Sequence, residues 1–137
     1  MIGSTEVEGK KINDLVKEGK ISREKLNQII DRTKKGGAEI VKFLEKGSAF
    51  YAPAASGVEM AECFLKDLKK QQPCAVYLNG EYGAKEIYAG VPVIIGSGGV
   101  EKIIELELST DEKINFDKSV AAVRDLYSAA KKIDPSL

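Results

Sequence analysis

Histidine and tryptophan are both missing from this 137-residue chain. Without histidine, the chain lacks the side chain that moves protons near neutral pH without tuning by its surroundings. A tuned lysine or tyrosine would have to replace it, and nothing in the sequence marks one. Cysteine is scarce: Cys63 and Cys74 stand eleven positions apart. That spacing matches no short metal-binding pair, and two thiolates are too few for a zinc site. They read as reduced, structural thiols in a reducing compartment, with a disulfide between them as the alternative. Neither sign of charge is in excess, since 21 basic residues balance 21 acidic ones. No net positive field is there to hold nucleic acid or an anionic membrane. The small cluster Lys66, Lys69 and Lys70 reads as a solvated helix end. No apolar run approaches the ~20 residues of a membrane span, and Val91–Ile95 has the length of a buried strand. Nothing at the start resembles a secretory signal. Residues 1–4, Met1-Ile2-Gly3-Ser4, read as a cloning-derived junction, with a natural start as the alternative, ahead of one domain over 5–137.

What is present is an ordinary globular composition, 43% hydrophobic and 31% charged, in a length that suits one domain with a real core. Residues 5–12 suggest a strand or extended lead-in, and Ile12, Leu15 and Val16 a short helix stopped by Gly19. Ser22 is a good N-cap for a long helix over 22–45. Behind it Leu26, Ile29, Ile30, Ile40, Val41 and Leu44 recur with a near-3.6 period. Gly36-Gly37 inside that face costs roughly 2 kcal/mol relative to two alanines. The cost predicts a bend or break there, and a place where another backbone comes close. The Ile29, Ile30, Ile40, Val41 face is expected to pack into the core or onto a partner.

Gly47 ends this helix, and a loop follows over Ser48 to Tyr51. Pro53 suits the first turn of the next helix, whose inner face is expected at Val58, Ala61, Leu65 and Leu68 and whose end at Gln71-Gln72-Pro73. Three strands follow, Cys74 to Leu78, Tyr88 to Ile95 and Val100 to Leu108, turned by Asn79-Gly80 and Gly98-Gly99. Ser109-Thr110-Asp111-Glu112 is a capping box. It opens a last helix carrying Ile114, Val120, Val123, Leu126, Tyr127 and Ala130. Helices, then antiparallel strands, then a helix make an α+β pattern. This is not the repeated βαβ of a doubly wound nucleotide-binding sheet.

Little here could do chemistry. Gly96-Ser97-Gly98-Gly99 tempts as a phosphate loop, but it joins two strands and no helix follows, so a hairpin turn is the better reading. A dicarboxylate substrate calls for arginine forks. The three arginines, Arg23, Arg32 and Arg124, sit on predicted helices among other charges and read as solvated or structural. Glu59 and Glu62 are spaced as an exposed helix pair.

Several stretches, in order, carry a resemblance: Gly36-Gly37-Ala38-Glu39-Ile40-Val41, Gly47-Ser48-Ala49-Phe50-Tyr51-Ala52-Pro53, Met60-Ala61-Glu62, Gly90 to Gly96, Gly99 to Glu105 and Phe116 to Val120. Together they resemble the C-terminal, substrate-side domain of NAD-dependent malate dehydrogenases of the lactate-dehydrogenase-like type, over essentially residues 5–137. The resemblance implies an α+β fold of long helices packed on an antiparallel sheet. It implies a whole enzyme that interconverts malate and oxaloacetate with NAD in the cytoplasm or mitochondrial matrix. It further implies a nucleotide-binding domain as partner, and self-association into a homo-oligomer, most simply a dimer. In such enzymes the catalytic histidine, its aspartate and the substrate-clamping arginines precede the stretch seen here. No catalytic residue therefore carries over, this chain is expected to hold no cofactor of its own, and the chain alone is expected to be inactive. Ser48 and Ala49 match the loop that closes one side of the substrate pocket, where a small Ala49 leaves room for a second carboxylate. Pro53 matches a residue placed against the nicotinamide ring. Each has a plainer reading beside it, a helix-end cap for Ser48 and a first-turn proline for Pro53. Two other readings stay open: a lactate-specific relative, and a non-catalytic, self-associating domain, stand-alone or engineered.

Overall fold

A computed structural model describes residues 2–136. The chain divides into two compact units, Met1–Glu59 and Met60–Leu137. In the first, a single 3-10 turn at Ile2–Ser4 precedes a minimal hairpin of β1 (Glu6–Val7) and β2 (Lys10–Lys11). Its turn uses Glu8 and Gly9, both at positive φ. The short helix α1 (Ile12–Lys17) stops before Gly19, whose φ of +71° lies in the left-handed region that suits glycine. Ser22 caps α2 (Arg23–Lys34) as its sequence predicts, its hydroxyl accepting from the Lys25 N–H at 3.1 Å.

The long helix expected over 22–45 is two helices. Lys35 interrupts it, and α3 (Gly36–Leu44) begins on the glycine pair. The break falls where helix propensity is weakest. The expected close approach of another backbone is not made: beyond the helix's own neighbours, nothing lies within 4 Å of where a Cβ would stand at Gly36 or Gly37. The apolar face does not enter a core either. Leu26 is buried and Ile30 half-buried, whereas Ile29, Ile40 and Val41 are exposed.

Helix α4 (Tyr51–Leu65) spans the boundary between the units. The inner face expected at Val58, Ala61, Leu65 and Leu68 stays exposed, and Cys63 is the residue fully removed from solvent. The helix also ends sooner than its sequence suggests. Asp67 and Lys69 take positive φ, and β3 (Lys70–Asn79) starts three residues before Pro73. Next come β4 (Lys85–Gly96) and β5 (Gly99–Ile103), forming one antiparallel sheet in the order β3-β4-β5.

Pro73 reads as a helix stop, yet it sits inside β3, directly opposite Pro92 of β4. The geometry explains the tolerance. The Pro92 carbonyl accepts from the Ile104 N–H at 2.8 Å, so the polar side of Pro92 faces the segment following β5. Pro73 therefore turns its nitrogen to the open edge, where no ladder bond is lost. Pro92 has a cost. It cannot return a hydrogen bond to the Ile104 carbonyl, and β5 ends at Ile103 instead of running on to Leu108 as the sequence suggests. The Tyr82 hydroxyl fills the gap, donating to the Ile104 carbonyl at 2.6 Å and accepting from the Leu106 N–H at 3.0 Å. The Tyr82 N–H is held by Glu105 Oε2 at 2.7 Å. Beyond the ladder, Ile104, Leu106 and Leu108 still alternate half-buried with exposed Glu105 and Glu107.

The core of this unit is Cys63, Cys74, Leu78, Tyr82, Ala84, Ile87, Val91, Val93, Ile95 and Val120, with Phe116 packed partly against it. The Tyr82 and Phe116 rings lie 5.1 Å apart. Val120 comes from α5 (Thr110–Ile133), whose N-terminus has both halves of the capping box: Ser109 accepts from the Glu112 N–H, and Glu112 reaches back to the Ser109 N–H at 3.1 Å. Of the α5 face read from sequence, Val120 is buried, while Ile114, Leu126 and Tyr127 are exposed. No helix among the described residues is long and apolar enough to cross a membrane.

Candidate functional site

The loop between α3 and α4 is built by two backbone reversals. Glu45 and Gly47 have φ of 59° and 94°. The Phe50 N–H bonds back to the Ser48 carbonyl at 2.9 Å, and the Ala54 N–H starts the helical ladder on the Phe50 carbonyl at 2.9 Å. Pro53 is the third residue of α4, where an N–H would have no partner inside the helix. Ser48 and Pro53 are exposed and Ala49 is half-buried. Among the described residues the Ser48 hydroxyl makes no hydrogen bond, so a capping role for it is not realised. The rings of Phe50 and Tyr51 lie 4.7 Å apart, tilted by 35°. The loop thus presents a free hydroxyl and a small methyl within two positions of each other.

The arginines are used within the chain. Arg32 forms a two-pronged bond with Glu39, at 3.1 and 2.9 Å. That bond raises the Arg32 pKa and lowers that of Glu39 below the ordinary carboxylate value. Arg23 reaches Asn13 at 3.4 Å, and Arg124 donates to the Lys85 carbonyl at 2.7 Å. Arg32 is therefore not a free fork for a substrate carboxylate, whereas Arg124 commits one terminal nitrogen only. The Arg32–Glu39 pair lies in an open groove of about 450 Å³ between α2 and α3, beside Ile29, Gly36, Ile40 and Phe43.

The glycine-rich stretch is a hairpin turn. Gly96 pairs with Gly99, and the Ser97 N–H donates to Asp67 Oδ1 at 2.8 Å. That bond lowers the Asp67 pKa. An N–H that would have cradled a phosphate is already held by a carboxylate of the chain. The basic cluster is answered in the same way: Lys66 pairs with Glu62 at 2.5 Å and Lys69 with Glu101 at 3.6 Å. Both cysteines are buried and unpaired. Burial, and then the neighbouring Cys63, push the Cys74 thiol pKa up, which makes it a poor nucleophile. Among the described residues no group of three or more His, Cys, Asp or Glu is placed to hold a metal ion. Sequence reasoning missed Tyr82. Its only local signal was the crowded turn Gly80-Glu81-Tyr82-Gly83, and its partner lies more than twenty residues away.

A bent helix pair, a short loop into a further helix, a three-stranded antiparallel sheet and a capped final helix define a class. The chain belongs to the lactate/malate dehydrogenase family, and the alpha/beta C-terminal domain of that family matches residues 2–133. It is 65% identical over 133 residues to a malate dehydrogenase of Pelagibacter ubique, covering 97% of this chain and 42% of that protein. A malate dehydrogenase of Caulobacter vibrioides is 53% identical over the whole chain, which covers 43% of that protein. Among solved structures, the malate dehydrogenase of Cryptosporidium parvum superposes with a TM-score of 0.92 at 44% identity, over 96% of this chain and 42% of that one. The lactate dehydrogenase of Eimeria maxima with NADH and oxamate gives 0.94 at 38% identity, over 98% and 42%. The chain therefore spans less than half the length of the relatives it matches.

Proposed function

We propose that this chain is the substrate-side and self-associating domain, over residues 5–137, of a cytoplasmic NAD-dependent malate dehydrogenase. In the whole enzyme a hydride passes between malate C2 and the nicotinamide, and a histidine outside this chain takes or gives the hydroxyl proton. The observation that carries the reading is the 65% identity to a malate dehydrogenase across nearly the whole chain. Ser48 and Ala49 close one side of the substrate pocket in this reading. The free Ser48 hydroxyl is available to the substrate, and Ala49 leaves space for the second carboxylate of oxaloacetate. Pro53, at the start of α4, would lie against the nicotinamide. With no histidine, no phosphate loop and the Arg32 fork held by Glu39, the chain alone lacks the groups that move the proton and hold NAD. The exposed apolar face of α2 and α3 supports self-association, because contiguous apolar surface on a soluble domain tends to find cover.

The test joins this chain to the nucleotide-binding part of the Pelagibacter ubique relative. The joined protein should oxidise NADH with oxaloacetate, and the chain alone should not exceed a buffer blank. Ala49→Leu should raise KM for oxaloacetate about tenfold, as expected from ~1–3 kcal/mol of overpacking. Turnover by the chain alone would overturn the reading. In sedimentation equilibrium, a mass that stays at 14.9 kDa at high concentration would remove self-association.

A further inference from the structure

The second unit carries an open groove of about 610 Å³ that the dehydrogenase reading does not use. One wall is Tyr77 and Tyr88, directly opposite each other on β3 and β4. Their rings meet edge to face, 5.4 Å between centroids, and both remain exposed. The other wall is the C-terminal half of α5, with Arg124, Tyr127 and Lys131. Glu86 also lines the groove. It is the extra residue of a β-bulge, at φ 53°, where the pairing of Leu78 with Ile87 passes to that of Asn79 with Lys85.

The volume is in the range of small-molecule sites. Three phenol rings supply stacking faces, and among the described residues none of the three phenol hydroxyls hydrogen-bonds to the protein. Such a set could form a cage for a cation, but that place is already taken: the Lys131 ammonium stands 4.9 Å from the Tyr127 ring centroid. Arg124 is fixed by one hydrogen bond, from one terminal nitrogen to the Lys85 carbonyl at 2.7 Å. Its remaining donors keep their fork geometry. Two cations against the single carboxylate of Glu86 leave a net positive groove. We propose that this groove is a binding site for a small planar aromatic carboxylate. Its ring stacks against the Tyr77–Tyr88 pair and its carboxylate lies between Arg124 and Lys131. The site rests on the second unit alone and is independent of the dehydrogenase reading.

Benzoate and its uncharged analogue benzamide are the probes, titrated into the 137-residue chain and followed by amide chemical shifts. Benzoate should bind saturably, with a dissociation constant on the order of millimolar for so open a site, and should shift the amides of Tyr77, Tyr88 and Tyr127. Benzamide should bind at least threefold more weakly. Lys131→Gln changes an exposed side chain on a helix surface and leaves the fold intact. It should weaken benzoate roughly three- to fivefold, the scale of an exposed ion pair, and leave benzamide unchanged. Arg124→Gln should weaken benzoate as well, with the native amide spectrum checking that the fold survives. Equal affinity for the two probes overturns the proposal. So does benzoate binding that Lys131→Gln leaves unchanged, or shifts that map outside the groove.

Discussion

The two units differ in what they keep from water. Of the described residues in the first, Leu26 alone is buried, while Ile29, Ile40, Val41, Phe43, Leu44, Phe50, Tyr51 and Val58 are exposed. The second unit holds a ten-residue core centred on two strands. The first unit is not short of apolar residues. It is short of partners: α2 and α3 part at Lys35, and the groove their stripes line stays open, with Ile29, Ile40 and Phe43 exposed. In the second unit every strand brings a neighbour into register, so a residue and its cover arrive together. Apolar content alone therefore says where surface could be buried, and topology says where it is.

The largest contrast should come from truncating one apolar side chain in each unit. Leu78→Ala removes a fully buried core residue and should cost ~2–5 kcal/mol in denaturant unfolding. Ile40→Ala removes a half-exposed one and should cost under ~1 kcal/mol while the chain is monomeric. A large Ile40 effect at low concentration would erase the contrast. The glycine pair comes next. Because the space at Gly36 and Gly37 is open within the chain, replacing both with alanine should raise helix content and stabilise the first unit by roughly 1–2 kcal/mol. Loss of stability, or loss of self-association with stability intact, would show that a second backbone uses that space. The smallest effect is electrostatic. The Glu39 pKa is lowered by Arg32, so the contribution of the pair is complete above the ordinary glutamate pKa of about 4.3 and fades as pH falls through the lower, folded value. Both groups are solvent-exposed, so Glu39→Gln should flatten the acid side of the first unit's melting curve only slightly.

Much of the fold was legible because its signals are local. Ser22, Gly19 and the Ser109–Glu112 box act within one turn of their own position, and each does what its residue type predicts. The misreadings share the opposite cause. Pro73 looks like a helix stop unless one knows that it lies on an open sheet edge. The early end of β5 depends on Pro92, twelve residues before Ile104, and on a hydroxyl from Tyr82. The α4 face failed because Cys63, a small thiol off the expected stripe, is what meets the core. The site was legible as residue types only. Ser48, Ala49 and Pro53 fall together on one loop and helix start, and the sequence alone gives their residue types and order.

The facing prolines act as a key for the sheet. If β3 slipped by one residue against β4, the Pro73 nitrogen would turn inward, to a place where the ladder needs a donor. The same slip would carry Cys74 and Leu78 out of the core. One misalignment is thus penalised twice, by a missing bond and by exposed hydrophobic surface. In the correct register the same proline leaves a gap halfway along the outer edge of β3. A strand from another molecule that tried to zip onto that edge would find no donor at its centre, so the proline itself opposes growth of the sheet on that side.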